Sequence, residues 1–161
     1  MSTASKYEKL DTLYASLPTV DCKKLCGFEN CGPIQASKIE TQRVEERRGF
    51  VKIHSREVWQ DVHQFAFRNL PYLPEQKDFY RALVFWQPDE NNFNCQFFMP
   101  AVGTCSVYGL RPIICRLFAL VDNLKLRCPF GCVPTRWISN EEAKKICEEV
   151  IKIQEEETPC L

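Results

Sequence analysis

Ten cysteines in a chain of 161 residues constrain this protein more than any other feature, because eight of them fall into groups. The first group is Cys22-x3-Cys26-x4-Cys31, on a stretch that Gly27, Gly32 and Pro33 allow to curl. The second is Cys95, Cys105 and Cys115, with nine residues between neighbours, and the third is Cys128-Pro-Phe-Gly-Cys132. Such a set reads as disulfides, metal ligands or apolar filler. Disulfide scaffolds are typically short, secreted and richer in Cys. The opening MSTASKYEKLDTLYASLP has no apolar run after a basic start, so no signal peptide is expected. No stretch approaches the roughly 20 apolar residues that span a bilayer. The expectation is therefore a cytoplasmic chain with reduced thiols, in which clustered Cys are metal ligands. Zinc and iron–sulfur sites commonly take four thiolates each, so eight suggest two sites, or one site with accessory thiols. Cys147 sits on the apolar face of a helix and reads as a buried thiol, and Cys160 is penultimate and outside the set.

The rest of the chain predicts an α+β fold in a single domain over 1–161, with a Cys core over 22–132. Tyr7, Leu10, Leu13, Tyr14 and Leu17 share a face of a helix over 3–17, which Pro18 closes. Ser37 and Glu40 form a capping box that starts a short charged helix reaching Arg48 and ended by Gly49. Residues 50–54 alternate like a strand, and 56–70 have helical spacing. Residues 80–87 and 93–98 read as one hairpin around the PDENN turn, and 117–121 with 124–128 as a second. Ser139 and Glu142 form another capping box, which starts a final amphipathic helix to about residue 156, with Ala143, Ile146, Cys147, Val150 and Ile153 inward. N- and C-terminal helices thus flank an irregular, metal-binding centre.

The segment Cys95-x9-Cys105-Ser-Val-Tyr108-Gly-Leu-Arg111-Pro112-Ile-Ile-Cys115-Arg116 resembles the hallmark of the YkgJ-type cysteine-cluster family. That family is described as a zinc- or iron-chelating domain and includes the flagellin lysine N-methylases. The resemblance runs from about Cys22 to Cys132. It takes in the Cys cluster, the helix start at Ser37–Glu40, Gly103-Thr-Cys105 and the Arg-Pro-x-x-Cys-Arg core. Cys31 is followed by Gly32, where the family often carries adjacent cysteines. The resemblance implies Cys22, Cys26, Cys31, Cys95, Cys105, Cys115, Cys128 and Cys132 as metal ligands, with Tyr108, Arg111 and Arg116 beside the cofactor. Thiolates on a metal leave negative charge, which Arg can offset with hydrogen bonds. If Pro112 starts a helical turn, Arg111 and Cys115 share a face and Arg116 points a quarter turn away, toward another site or a carboxylate. Both arginines should then be substantially buried near thiolates.

Other chemistries find little footing. Lys plus Arg equals Asp plus Glu at 21, so there is no overall basic field for nucleic acid or an anionic membrane. His54 and His63 stand nine apart and form no His-x-x-x-His pair. Six glycines leave no phosphate-binding loop, which argues against a Rossmann-type dinucleotide or S-adenosylmethionine site. The leading expectation is a metal-dependent accessory or redox-type protein holding zinc or an iron–sulfur cluster of the 4Fe–4S kind, with a possible protein partner. The alternatives are a group-transfer enzyme resembling the Cys module of the methylases, and a structural zinc module for protein interaction.

Overall fold

The structure, a computed structural model, describes residues 2–23, 34–53, 83–90, 94–124 and 126–157. Cys26, Cys31, His54, His63, Cys160 and the helix expected over 56–70 lie outside them. Within them the fold is α+β. Helix α1 (Thr3–Ala15) leads to strand β1 (Ile34–Ser37), helix α2 (Lys38–Arg48) and strand β2 (Leu83–Trp86). The short strands β3 (Phe98–Met99) and β4 (Thr104–Cys105) come next, then a single 3-10 turn (Tyr108–Leu110), helix α3 (Ile113–Leu117) and helix α4 (Asn140–Glu155).

The helix starts follow their caps. The Ser37 side chain accepts from the Glu40 amide while the Glu40 carboxylate accepts from the Ser37 amide, the expected reciprocal box. Gly49 closes α2 at φ +100°, a conformation costly for any residue with a Cβ. Ser139 caps α4 through the Glu142 amide, but the expected box is only half formed, because the Glu142 carboxylate accepts from Arg136 instead. α1 ends slightly earlier than expected, and Pro18 follows two residues beyond the Ser16 cap.

Two hydrophobic clusters organise the described residues. In the first, α1, α3 and α4 pack around Leu10, Leu117, Val121, Ile138, Val150 and the Cys147 thiol. Lys6 Nζ donates to the Gln154 carbonyl (2.6 Å) and Lys9 pairs with Glu156, which fixes α1 along α4. In the second, Ala36, Val44, Trp86, Cys95, Phe98 and Val107 meet under β1 and β2. Trp86 Nε1 donates to Thr41 Oγ1 at 2.9 Å, satisfying the indole in the interior. No helix among the described residues is long and apolar enough to cross a membrane.

Strand pairing differs from the sequence expectation. β2 pairs antiparallel with β1, in register Ile34 to Trp86 through Ser37 to Leu83, rather than with 93–98. The chain does reverse after β2, since the Asp89 amide donates to the Asn94 carbonyl. A ladder does not follow because the Gln96 amide occupies that edge: Nε2 donates to the carbonyls of Lys52 and Gln87, and Oε1 accepts from the Lys52 amide. Ile53 bridges to Trp86, so residues 51–53 run beside β2 with a single bridge in place of a strand. β3 instead turns onto β4, placing Phe98 opposite Cys105.

The second expected hairpin, 117–121 with 124–128, is replaced by a bent segment. Leu117 closes α3, and Ala119 takes φ +69°. One hydrogen bond, Ala119 amide to Leu126 carbonyl, crosses the loop, and Val121 then pairs in parallel with Ile138. The bend turns Leu117, Leu120, Val121 and Leu126 all into the first cluster, where alternation would have put half of them in solvent.

Candidate metal centre

The described cysteines are thiols and not disulfides. Three of them converge from distant parts of the chain. Residues 19–23 run antiparallel to 130–135: the Thr135 amide donates to the Thr19 carbonyl and Val20 bridges to Pro134. This pairing brings Lys23 against the Cys128–Cys132 turn, where its amide donates to Cys132 Sγ at 3.4 Å and its Nζ to the Phe130 carbonyl at 3.3 Å. Cys22 lies close enough to Cys132 to raise the cost of ionising it. The turn is the knuckle expected of Cys-x3-Cys: the Gly131 amide donates to the Cys128 carbonyl, and Gly131 takes φ +79°.

The electrostatics of that turn suit a thiolate. Burial works against ionising Cys128, but the amides of Cys132 and Phe130, the Cys132 thiol and the Lys23 ammonium together hold it below the ordinary thiol range. Cys132 receives the Lys23 amide, yet its thiol is pushed up by burial and by Cys128, so the first proton leaves Cys128 and the second leaves against its charge. N–H donors aimed at sulfur are the usual surroundings of metal-bound thiolates. The donor set present is thus soft and anionic, suited to zinc or iron. Among the described residues alone, no three Cys, His, Asp or Glu side chains close around a metal position. Cys26 and Cys31 lie outside those residues.

The second group stands elsewhere. Cys95 is buried in the cluster under β2, and Cys105 packs against it from β4. Burial raises the Cys105 thiol, opposed by the Val107 amide and the Arg111 charge. Cys115 is carried by α3, half-buried. Arg111 lies over the Tyr108 ring, 3.7 Å from its centroid, and its Nε donates to the Tyr108 carbonyl at 2.9 Å. Arg116 Nε donates to the Arg111 carbonyl (2.8 Å) and Nη2 to that of Gly109 (2.9 Å), with its guanidinium 4.1 Å from the centre of the Tyr14 ring. Both arginines are half-buried and Tyr108 is exposed.

The shared helical face expected for Arg111 and Cys115 does not form. Arg111 is extended (φ −55°, ψ 136°) and Pro112 is the N-cap of α3, so the helix begins after both. The Arg111 charge instead acts on Cys105, favouring its ionised form. The quarter turn expected to aim Arg116 at another site or a carboxylate assumed the same helix; Arg116 instead donates to the Gly109 and Arg111 carbonyls and lies over the Tyr14 ring.

Two participants escaped the sequence. Lys23 had no motif, because its role depends on pairing with a segment about a hundred residues away. Glu40 was visible only as a cap, and nothing local announced its bonds to Tyr14 and Ile113.

Searches of curated proteins and of solved structures returned no match. A family model described as "Putative zinc- or iron-chelating domain" matches residues 21–148, which takes in every cysteine named above as a candidate ligand. A thiol-bearing knuckle supplied with amide donors is the local structure such a domain requires, and the match covers most of the chain: this protein belongs to the CxxCxxCC family of zinc- or iron-chelating domains.

Proposed function

We propose that the protein is a cytoplasmic, metal-dependent accessory or redox-type protein holding one or two all-thiolate centres, with an iron–sulfur cluster of the 4Fe–4S type ahead of zinc. The reading takes Cys22, Cys26, Cys31, Cys95, Cys105, Cys115, Cys128 and Cys132 as the ligand pool in one domain. The single observation that carries it is the Cys128–Cys132 turn, with the Lys23 amide on Cys132 Sγ and Cys22 brought near enough to act on that thiol. Thiols placed this way repel one another once ionised, and a cation is the simplest partner for them. An all-thiolate pool, with His54 and His63 forming no His-x-x-x-His pair in the sequence, favours iron–sulfur. A bound metal or cluster would supply Lewis acidity or one-electron chemistry. The protein's own part is to hold the thiolates deprotonated by N–H donation and to offset their charge. Arg111, stacked on Tyr108 beside Cys105, is placed for the latter.

Anaerobic purification with iron, zinc and sulfide analysis and a visible spectrum tests this. Matching iron and sulfide with broad visible absorption supports a cluster, and colourless protein with stoichiometric zinc turns the assignment to zinc. Metal-free protein with all thiols titratable, or native disulfides, refutes the reading. Cys26→Ser, Cys105→Ser and Cys132→Ser should each lower metal content, and Cys160→Ser should not.

A further inference from the structure

Glu40 is a charged residue only 2% exposed, and a buried carboxylate is costly unless its lone pairs are filled. They are filled here by four donors. One oxygen accepts from the Ser37 amide (3.2 Å) and the Ser37 hydroxyl (2.8 Å). The other accepts from the Tyr14 hydroxyl and, at 2.6 Å, from the Ile113 amide. A carboxylate offers about four lone-pair sites, so none is left for a metal.

The Ile113 amide is the informative partner. Ile113 opens α3, whose N-cap is Pro112, a residue with no side chain able to cap. The first amides of a helix need acceptors, and five residues cannot sustain a helix alone. Glu40 provides the missing cap from another element, and so joins the start of α2 to the start of α3. Tyr14 extends the connection. Its hydroxyl donates to Glu40, and its ring carries the Arg116 guanidinium, which grips the carbonyls of Gly109 and Arg111. Everything between Tyr108 and Arg116 is thereby referred to one carboxylate.

We propose that Glu40, Tyr14 and Arg116 form a clamp that sets where Cys115 stands, as positioning residues for its thiolate and not as ligands. The proposal rests on the metal-centre reading for its purpose, but the clamp is measurable without metal. The third cysteine group gives an internal control, because the Lys23 amide and the 19–23 pairing hold it separately.

The test is alkylation of the metal-free full chain by N-ethylmaleimide, with the rate at each cysteine read by peptide mass spectrometry. In Glu40→Gln, a neutral amide faces donors on both sides. Alkylation at Cys115 should rise about tenfold, the equivalent of one lost buried hydrogen bond. Cys128 and Cys132 should keep their wild-type rates. Cys147 is no control for this variant, because the Glu40 charge acts on its thiol. An unchanged rate at Cys115 overturns the proposal. A rise shared by Cys128 and Cys132 would report general unfolding, and the decision then passes to Tyr14→Phe, which removes one donor and keeps the ring. A several-fold rise at Cys115 without one at Cys128 and Cys132 in that variant supports the clamp, and its absence overturns it. Wild-type protein that never takes up metal would refute the proposed function and leave this result standing.

Discussion

Replacing Leu117 by Ala should be among the most damaging single changes outside the cysteines. Leu117 is the last residue of α3 and is 0% exposed within the first hydrophobic cluster. α3 has five residues and therefore little helical stability of its own, so its attachment to the core comes from Leu117 and Ile113. Leu→Ala at fully buried sites costs about 3–5 kcal/mol, the spread reflecting how far the cavity collapses. The lower half of that range is expected here, because the segment after Leu117 has little regular structure and can shift inward. For a chain of this size about 3 kcal/mol lowers Tm by roughly 6–12 °C. Thermal unfolding of the metal-free chain by circular dichroism measures it, with Leu124→Ala as control. Leu124 is 83% exposed, and its loss should change stability by less than about 0.5 kcal/mol. A Leu117→Ala shift no larger than the control's would refute the claim that this contact fastens α3, and with it Cys115, to the core.

Arg43 is buried, with Nη2 on Asp11 at 2.6 Å, but its Nε and Nη1 find no acceptor among the described residues. Arg43→Met should therefore be neutral or stabilising by up to about 2 kcal/mol in a urea titration, and a loss of several kcal/mol would show that the ion pair outweighs the orphaned donors. In metal-free protein near neutral pH, Cys128 should alkylate faster than Cys132 and far faster than Cys147, whose thiol burial and the nearby Glu40 and Glu148 push up. The advantage of Cys128 should shrink as pH rises through the ordinary thiol range, and equal rates at pH 7 would contradict the amide-donor account. Arg136 hydrogen-bonds Glu142 at 3.0 Å and lowers its pKa, so the pair should help above the normal Glu range and lose its effect as pH falls through the depressed value. Both side chains are well exposed and screened by solvent, so Arg136→Ala should leave the urea midpoint at neutral pH almost unchanged. Ala119→Gly, which relieves a positive φ, should be neutral to stabilising by about 1 kcal/mol.

What the sequence made legible was what local chemistry decides. The Ser37–Glu40 box, the Gly49 stop, the Ser139 cap and the apolar face of α4 all stand where short-range rules put them. Strand pairing was not legible, because it turns on partners far apart in the chain. β2 reads as a strand from its own residues, but its choice of β1 over the nearby 93–98 depends on Gln96 filling the edge and on Trp86 reaching Thr41. The cysteine knuckle at 128–132 was readable from its Gly and its spacing, whereas the arrival of Cys22 and Lys23 beside it needed the whole fold.

The Arg-Pro step is a different kind of miss, because the information was present and a competing rule outweighed it. Spacing of four suggested that Arg111 and Cys115 share a helical face, with Pro112 as the first helical residue. Proline also disfavours the helical region for the residue before it, through the clash of its Cδ with that residue's amide and Cβ. Arg111 obeys that second rule and is extended, and Pro112 itself stays outside the helix as its cap at ψ 163°. The consequence reaches the chemistry. An Arg111 within the helix would have been aimed along α3 toward Cys115. An extended Arg111 folds back over Tyr108 and faces Cys105, leaving Arg116 to tie α3 to Tyr14. One proline thus divides two nearby arginines between two tasks, a charge beside the Cys105 thiol and attachment of α3 to the Tyr14 ring.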